Sequence, residues 1–299
     1  MVKIGVGLPA MDEIVKLGPN GVAQAARLAE AVGVHSVGAA DVLIGDGTTA
    51  LESVVTLATA AAVTERVRLD FGALSAPTRP AAMLAAQVQT LQYLSQGRVR
   101  LGLGIGGFPG SPFWTAVGAA GNRGRAADET LAVVRGLIAG EPTVVNGAEV
   151  TLAPGVQAPP ILVGAGPSEA GLRRVARHAD GWVPSGMTPA QLKAALARLR
   201  EFAEEYGRPM PFVHLGAHAV LGDDHAAREA MESMLAQFFR LSPEEVRQAT
   251  VSGSPAEAAE RVHAFAEAGA DEVGFGLDGS DFLHQIELIG AVTDQLTRS

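Results

Sequence analysis

The chain has 299 residues, 47% of them hydrophobic and only 5% aromatic. That length accommodates either two domains or one large barrel with a core of Ala, Val, Leu and Ile. A formal net charge of −9 argues against a nucleic-acid or anionic-membrane surface, and the absence of cysteine removes disulfides, thiolate catalysis and thiolate metal sites together.

Residues 1–9 lack the apolar core and cleavage site of a signal peptide, and no run approaches the ~18 apolar residues of a membrane helix. A soluble, cytoplasmic protein is therefore expected. Residues 2–8 read as a first strand, followed by helical spacing over 22–32. A strand over 34–40 leads to a helix over 52–64, and a strand over 68–74 leads to a helix over 81–93. The pattern continues with 99–104 and 126–138, 161–164 and 168–178, then 181–184 and 189–206. It closes with 212–221 and 224–239, then 272–277 and 282–296. The strands are short and apolar with little alternation, as expected where both faces are covered. Eight strand–helix units in 299 residues predict a single (β/α)8 TIM barrel over residues 1–299. A doubly wound open sheet is the runner-up.

Four segments have capping-box spacing at helix starts: Thr49 with Glu52, Thr188 with Gln191, Ser242 with Glu245 and Ser254 with Glu257. Two stretches exceed a minimal barrel. Residues 108–125, after the fourth strand, read as a loop and a potential lid. Residues 141–158, before the fifth strand, contain a hairpin turning at Asn146-Gly147.

The most informative stretch is 96–107, where glycines continue past the end of the fourth strand. Side-chain-free backbone at the C-terminal end of a barrel strand lets a flat ligand lie against the chain. Gly102-x-Gly104-x-x-Gly107 matches the dinucleotide fingerprint only formally, because Phe108-Pro109-Gly110 cannot start the helix that fingerprint needs. A second turn, Gly164-Ala165-Gly166-Pro167-Ser168, lies between the fifth strand and its helix. There, N–H groups of Gly166, Ser168 and Glu169 form an anion site by geometry and dipole, with Arg173 and Arg174 one to two turns on. The ordinary reading of that turn is a Gly-containing loop with a Ser cap. Asp41 closes the second strand, where a carboxylate reads as functional or as a loop cap. His214 and His218 fall on a strand, on one face and about 13 Å apart, too far to share a metal, and no metal site is expected.

Residues 57–72 (Leu-Ala-Thr-Ala-Ala-Ala-Val-Thr-Glu-Arg-Val-Arg-Leu-Asp-Phe-Gly), Pro77-Thr-Arg-Pro and the 94–106 block resemble the luciferase-like flavin and deazaflavin oxidoreductases. Pro159-Pro-Ile-Leu-Val-Gly-Ala-Gly-Pro and Arg177-His-Ala-Asp-Gly-Trp-Val add a second block, so the resemblance covers nearly the whole chain. It implies a barrel with a ring cofactor at its C-terminal face, and the 164–168 turn is more similar to the branch that binds coenzyme F420 than to the FMN branch. By this resemblance the cofactor phosphate lies against Gly164, Ala165, Gly166, Pro167 and Ser168. The ring lies over a bulge with a non-proline cis peptide matching Gly72–Ala73. Gly104, Gly106 and Gly107 line the ring or phosphate side, and Asp41 sits near the ring's polar edge.

Several relatives carry a His after the strand-2 acid as a proton acceptor; here that residue is Val42, which argues against alcohol oxidation by that route. Val42, Leu43, Phe108, Phe113 and Trp114 offer an apolar substrate pocket suited to reduction of an activated C=C or C=N bond. The expected function is an F420-dependent oxidoreductase acting on a small organic molecule, with Asp41, Ser75, Thr78 and Arg123 as the candidate acids and a homodimer expected by analogy. The alternatives are an FMN-dependent luciferase-like monooxygenase, with a reductase partner, and a non-catalytic flavin-binding barrel.

Overall fold

Strands this short need cover on both faces, and closure supplies it. In the computed structural model, which describes residues 2–298, eight parallel strands form a closed barrel. Residues 1 and 299, the ends of the expected domain, lie outside the described residues. The strands are β1 (Lys3–Gly7), β2 (Ser36–Ala39), β3 (Arg68–Phe71), β4 (Val99–Gly104), β5 (Ile161–Gly164), β6 (Gly181–Val183), β7 (Phe212–Leu221) and β8 (Glu272–Leu277). Each pairs with the next, and β8 returns to β1 with Lys3 opposite Glu272. Because all run the same way, the loops after their C-terminal ends gather at one mouth.

The twelve helices of the described residues are α1 (Glu13–Leu17), α2 (Gly21–Ala31), α3 (Ser53–Val63), α4 (Ala81–Leu94), α5 (Pro112–Ala116), α6 (Arg123–Ala139), α7 (Glu169–His178), α8 (Pro189–Glu205), α9 (His225–Phe239), α10 (Pro243–Ala249), α11 (Pro255–Ala268) and α12 (Phe282–Arg298). The main core lies between these helices and the outward faces of the strands, where Val37, Leu69, Leu101, Leu103, Val163, Leu215, Val273 and Phe275 are buried. Among the described residues no helix is long and apolar enough to cross a membrane.

Four expectations need correction. The strands do alternate: β4 reads Val-Arg-Leu-Gly-Leu-Gly, and its Arg100 and Gly102 face inward while its Val and Leu side chains face the helices. Residues 108–125 are not all loop, because Ser111 caps α5 through Trp114 N–H and Asn122 caps α6, which starts three residues earlier than expected. Residues 243–268 form a third addition: α10, a short strand (Val251–Gly253) parallel to the end of β7, and α11. The shortness of polar α10 and the Ala-rich composition of α11 hide the helical period, although the boxes at Ser242 and Ser254, like that at Thr188, form as spaced. The Thr49 box does not form, because Glu52 itself is the N-cap of α3 and accepts from Val55 N at 2.9 Å. The 143–150 hairpin has Asn146 and Gly147 at φ 49° and 80°, as a primed turn requires.

After β3 the chain bulges at Gly72–Ala73, whose peptide bond is cis, and rejoins β4 as a short strand with Leu74 opposite Leu103. The bulge packs on the inward face of β4, so a methyl at Gly102 would overlap the Phe71 carbonyl oxygen and lie 3.3 Å from the Ala73 methyl. Gly102→Ala is therefore expected to lower stability by about 3 kcal/mol or more. Gly107→Ala, whose methyl meets nothing within 4 Å, is the near-neutral control. Urea midpoints of the two variants check the contrast.

Candidate functional site at the barrel mouth

Parallel closure sorts the inward-facing residues into two levels. At the base, side chains from β2, β3, β4, β7 and β8 meet. Arg100 Nε donates to Asp70 Oδ1 at 2.6 Å, and its Nη1 and Nη2 donate to Glu272 at 2.7 and 2.8 Å. Nη2 also reaches Asp70 Oδ2, and Ser36 Oγ donates to Glu272 at 2.6 Å. Burial alone would raise the Glu272 carboxyl, but the hydrogen bonds and charge of Arg100 outweigh it and hold the group at about 2. His214 Nδ1 lies 3.5 Å from Asp70 without a hydrogen bond, and burial pushes its pKa down against the pull of both carboxylates. Asp70, His214 and Glu272 thus come within ligating reach of one another, which their spacing in sequence did not reveal. Arg100 already bridges both acids and supplies the positive charge such a group needs, so the cluster reads as a structural tie across the barrel.

Above this base the inward positions of β1, β2 and β8 carry no side chain, and on β7 Gly216 separates His214 of the base from His218 at the rim. Gly7, Gly38, Gly216, Gly274 and Gly276 are all partly exposed, so a depression opens into the barrel on that side. The opposite side is filled by the bulge, where the Ala73 methyl would lie 3.0 and 3.9 Å from methyls placed at Gly164 and Gly104. Those two glycines, in register across β4 and β5, make room first for the bulge.

The bulge is held from behind. Asp41 Oδ2 accepts from Ser75 N–H at 2.8 Å and from Arg79 Nη1 at 2.7 Å, while Oδ1 accepts from Arg79 Nη2 at 2.8 Å and Ser53 Oγ at 3.2 Å. Arg79 also reaches Glu52 at 3.1 Å. Burial works to raise the Asp41 carboxyl, but Arg79 and the Ser75 N–H hold it below the ordinary carboxylate range. Thr78 Oγ1 donates to Ser75 O at 2.8 Å and accepts from Arg79. Arg123 donates to Gly106 O at 2.8 Å. The four candidate acids Asp41, Ser75, Thr78 and Arg123 are thus brought to the mouth, but as a frame for its wall.

The two glycine turns lie at the same rim. Gly106, at φ 74°, takes a left-handed conformation with the Trp114 ring directly beneath it, so that even a methyl would overlap the ring. Gly107 and Gly166 face open space. At the second turn Trp182 Nε1 donates to Ala165 O at 2.9 Å, pinning the loop to β6. Ser168 caps α7 by accepting from Gly171 N–H at 3.2 Å. Beyond Pro167, the N–H groups of Ser168, Glu169 and Ala170, with that of Gly166, have no acceptor among the described residues. Four unpaired donors at a helix N-terminus fit an anion. Arg173 and Arg174 do not join them, since Arg173 pairs with Glu169 and Glu205 and Arg174 with Asp128.

Of the expected substrate-side residues, Val42, on the loop after β2, and Phe113, in α5, are partly exposed, and Phe113 N–H donates to Ile44 O of that loop at 2.9 Å. Trp114 is buried and supports Gly106 rather than facing the mouth. Phe108 meets Phe238 at 6.5 Å between ring centroids, and Phe238 stands edge-on to Phe239 at 5.0 Å. This aromatic edge on α9, and the His218–Asp278 pair beside the depression (Nδ1 to Oδ2, 2.8 Å), were not foreseen. The alternation Phe212-Val-His-Leu-Gly-Ala-His in β7 was the signal available. A surface groove between α6 and α7, lined by Asn122, Arg125, Asp128, Arg174 and Arg177, holds none of the expected site residues.

Comparison with known proteins agrees with this architecture. An F420-dependent secondary alcohol dehydrogenase, solved with an F420-acetone adduct, superposes with a TM-score of 0.82 over 99% of both chains at 18% identity, a likeness of fold. An uncharacterised protein of Mycobacterium tuberculosis is 38% identical over 180 residues, 56% of this chain and 59% of that protein, so the match spans about three fifths of that relative. The 5,10-methylenetetrahydromethanopterin reductase of Methanolobus tindarius is 26% identical over 98% of this chain and 83% of its own length. The family model described as luciferase-like monooxygenase matches residues 10–241, and the chain belongs to that family.

Proposed function

We propose that this protein is an F420-dependent oxidoreductase that reduces an activated C=C or C=N bond of a small organic molecule. The observation that carries the reading is the pairing, at one rim, of four unpaired N–H groups (Gly166, Ser168, Glu169, Ala170) with open, side-chain-free backbone at Gly107 and Gly166. Those donors fit the phosphate of the deazaflavin, and the depression between the bulge and the glycines of β1, β2, β7 and β8 fits its ring. When bound, the reduced deazaflavin supplies a hydride. The protein contributes orientation, a rigid wall braced by Asp41 and Arg79, and exclusion of water by the 108–125 segment. The full-length similarity to a reductase supports the direction of the reaction, and Val42 in place of a proton-accepting His fits a reductase better than an alcohol dehydrogenase.

Fluorescence titration of the cofactor-free protein with coenzyme F420 and with FMN, side by side, tests this reading. Tight binding of F420, abolished in Gly166→Trp without loss of thermal stability, is expected, because that side chain enters open space at the rim. Binding of FMN alone defeats the reading and favours a flavin monooxygenase, the activity named in the family's description.

A further inference from the structure

We propose that His218, oriented by Asp278, donates a proton to the acceptor, and that the acceptor is an apolar conjugated ketone or imine seated between His218 and the aromatic edge of α9. This inference rests on the hydride-transfer reading above. His218 lies on the inward face of β7, in register with Gly276, so its ring borders the side-chain-free depression. Its Nδ1 is 2.8 Å from Asp278 Oδ2, and Asp278 is itself fixed by donating its N–H to Ala219 O at 3.0 Å. A carboxylate on Nδ1 selects the ring orientation and leaves Nε2 to act on a ligand. Nε2 has no partner among the described residues, and the ring is about one third exposed. Asp41 and Thr78 are committed to the wall and Arg123 is tied to it through Gly106 O, whereas His218 is held at Nδ1 alone and keeps Nε2 for a ligand.

The surroundings define the acceptor. His218 packs beside Gly186, Leu235, Phe239, Leu241 and Val246 around a gap of only about 10 Å³, so these residues form an apolar wall along which an acceptor would lie. Phe238, 57% exposed, extends the apolar surface to Phe108. A charged or sugar-like acceptor would lose hydration there without recovering hydrogen bonds, whereas a hydrocarbon body with one polar atom would leave that atom for His218.

The acceptor carbon gains a hydride, two electrons and a proton together, from the reduced deazaflavin. In a conjugated ketone the hydride adds to the β-carbon, the π electrons shift through the α-carbon to oxygen, and oxygen takes the proton from Nε2 of the imidazolium to give an enol that tautomerises to the saturated ketone; in an imine the π pair moves to nitrogen, which takes the same proton. Neutral imidazole remains, still hydrogen-bonded to Asp278, and solvent returns the proton.

Cyclohex-2-enone serves as the probe. With reduced F420, His218→Gln is expected to lower kcat by about 100-fold or more while F420 affinity is unchanged. Asp278→Asn is expected to lower kcat by a smaller factor, with the ring retained but no longer fixed. Nitrogen-15 NMR of the wild type, with oxidised cofactor present so that no turnover occurs, gives a second readout. Adding the enone should shift the His218 Nε2 resonance and leave His214 unmoved. Wild-type kcat in His218→Gln, an equal fall in kcat and cofactor affinity, or an unmoved His218 resonance overturns the proposal. Failure of the wild type to bind F420 defeats the cofactor reading instead, and the same NMR titration with FMN bound then still decides the role of His218.

Discussion

Arg100→Met should lower the stability of this protein by about 3–5 kcal/mol, among the largest losses any single substitution here would cause. The side chain is of similar length, so the loss comes from leaving Asp70 and Glu272 ionised and buried with Ser36 and the imperfectly placed His214 as their remaining company. The cluster also dictates an acid limit. Glu272 is held at about 2 against an ordinary 4.5, so its contribution is fully present above about 4.5 and is lost as pH falls from there through about 2. Urea unfolding at neutral pH, with thermal melts across that acid window, measures both effects. Adding Asp70→Asn and Glu272→Gln to Arg100→Met should restore part of the loss, because the orphaned charges are then gone. An unchanged urea midpoint in Arg100→Met would show that the base cluster does not hold the barrel.

Asp41→Asn should cost about 3 kcal/mol and also loosen cofactor binding. The carboxylate is buried at the rim with Arg79 across two hydrogen bonds, and an amide can neither balance that charge nor accept in both directions. Glu52, the other partner of Arg79, is about one third exposed and compensates only in part. The Ser75 N–H loses an ionised acceptor, so the Gly72–Ser75 wall is expected to relax toward the depression. Since Asp41 is also held below its usual range, its contribution too is present above the ordinary carboxylate value and fades as pH falls through the lowered one. Asp41→Asn combined with Arg79→Met should recover part of the stability, and a double-mutant cycle measures the coupling. A variant that melts like the wild type yet binds no cofactor would mean that Asp41 touches the ligand directly instead of bracing the wall.

The legible part of the fold followed from local pattern. Strands 99–104, 161–164, 212–221 and 272–277 coincide with β4, β5, β7 and β8, because apolar residues between glycine-rich turns leave few other options. The rim turns were readable for the same reason: a Gly-rich turn between a strand and a capped helix announces free N–H groups in any tertiary context. Helices α10 and α11 were hidden, since their capping boxes marked starts but the two-turn length of α10 and the Ala-rich interior of α11 gave no clear periodicity. Trp114 illustrates the opposite difficulty, for an aromatic in an apparent loop gave no sign that it would be sealed beneath Gly106.

From the amino-acid order alone came the eightfold alternation, the all-parallel barrel and the two side-chain-free turns, because each depends on residues within a few positions of one another. Only tertiary closure decided what the charged groups do. Asp41 and Arg79 are 38 residues apart, His218 and Asp278 are 60 apart, and Arg100 and Glu272 are 172 apart. Such partners become neighbours when the strands are wrapped into a ring, and the low dielectric between them then makes each pairing costly to leave unmade.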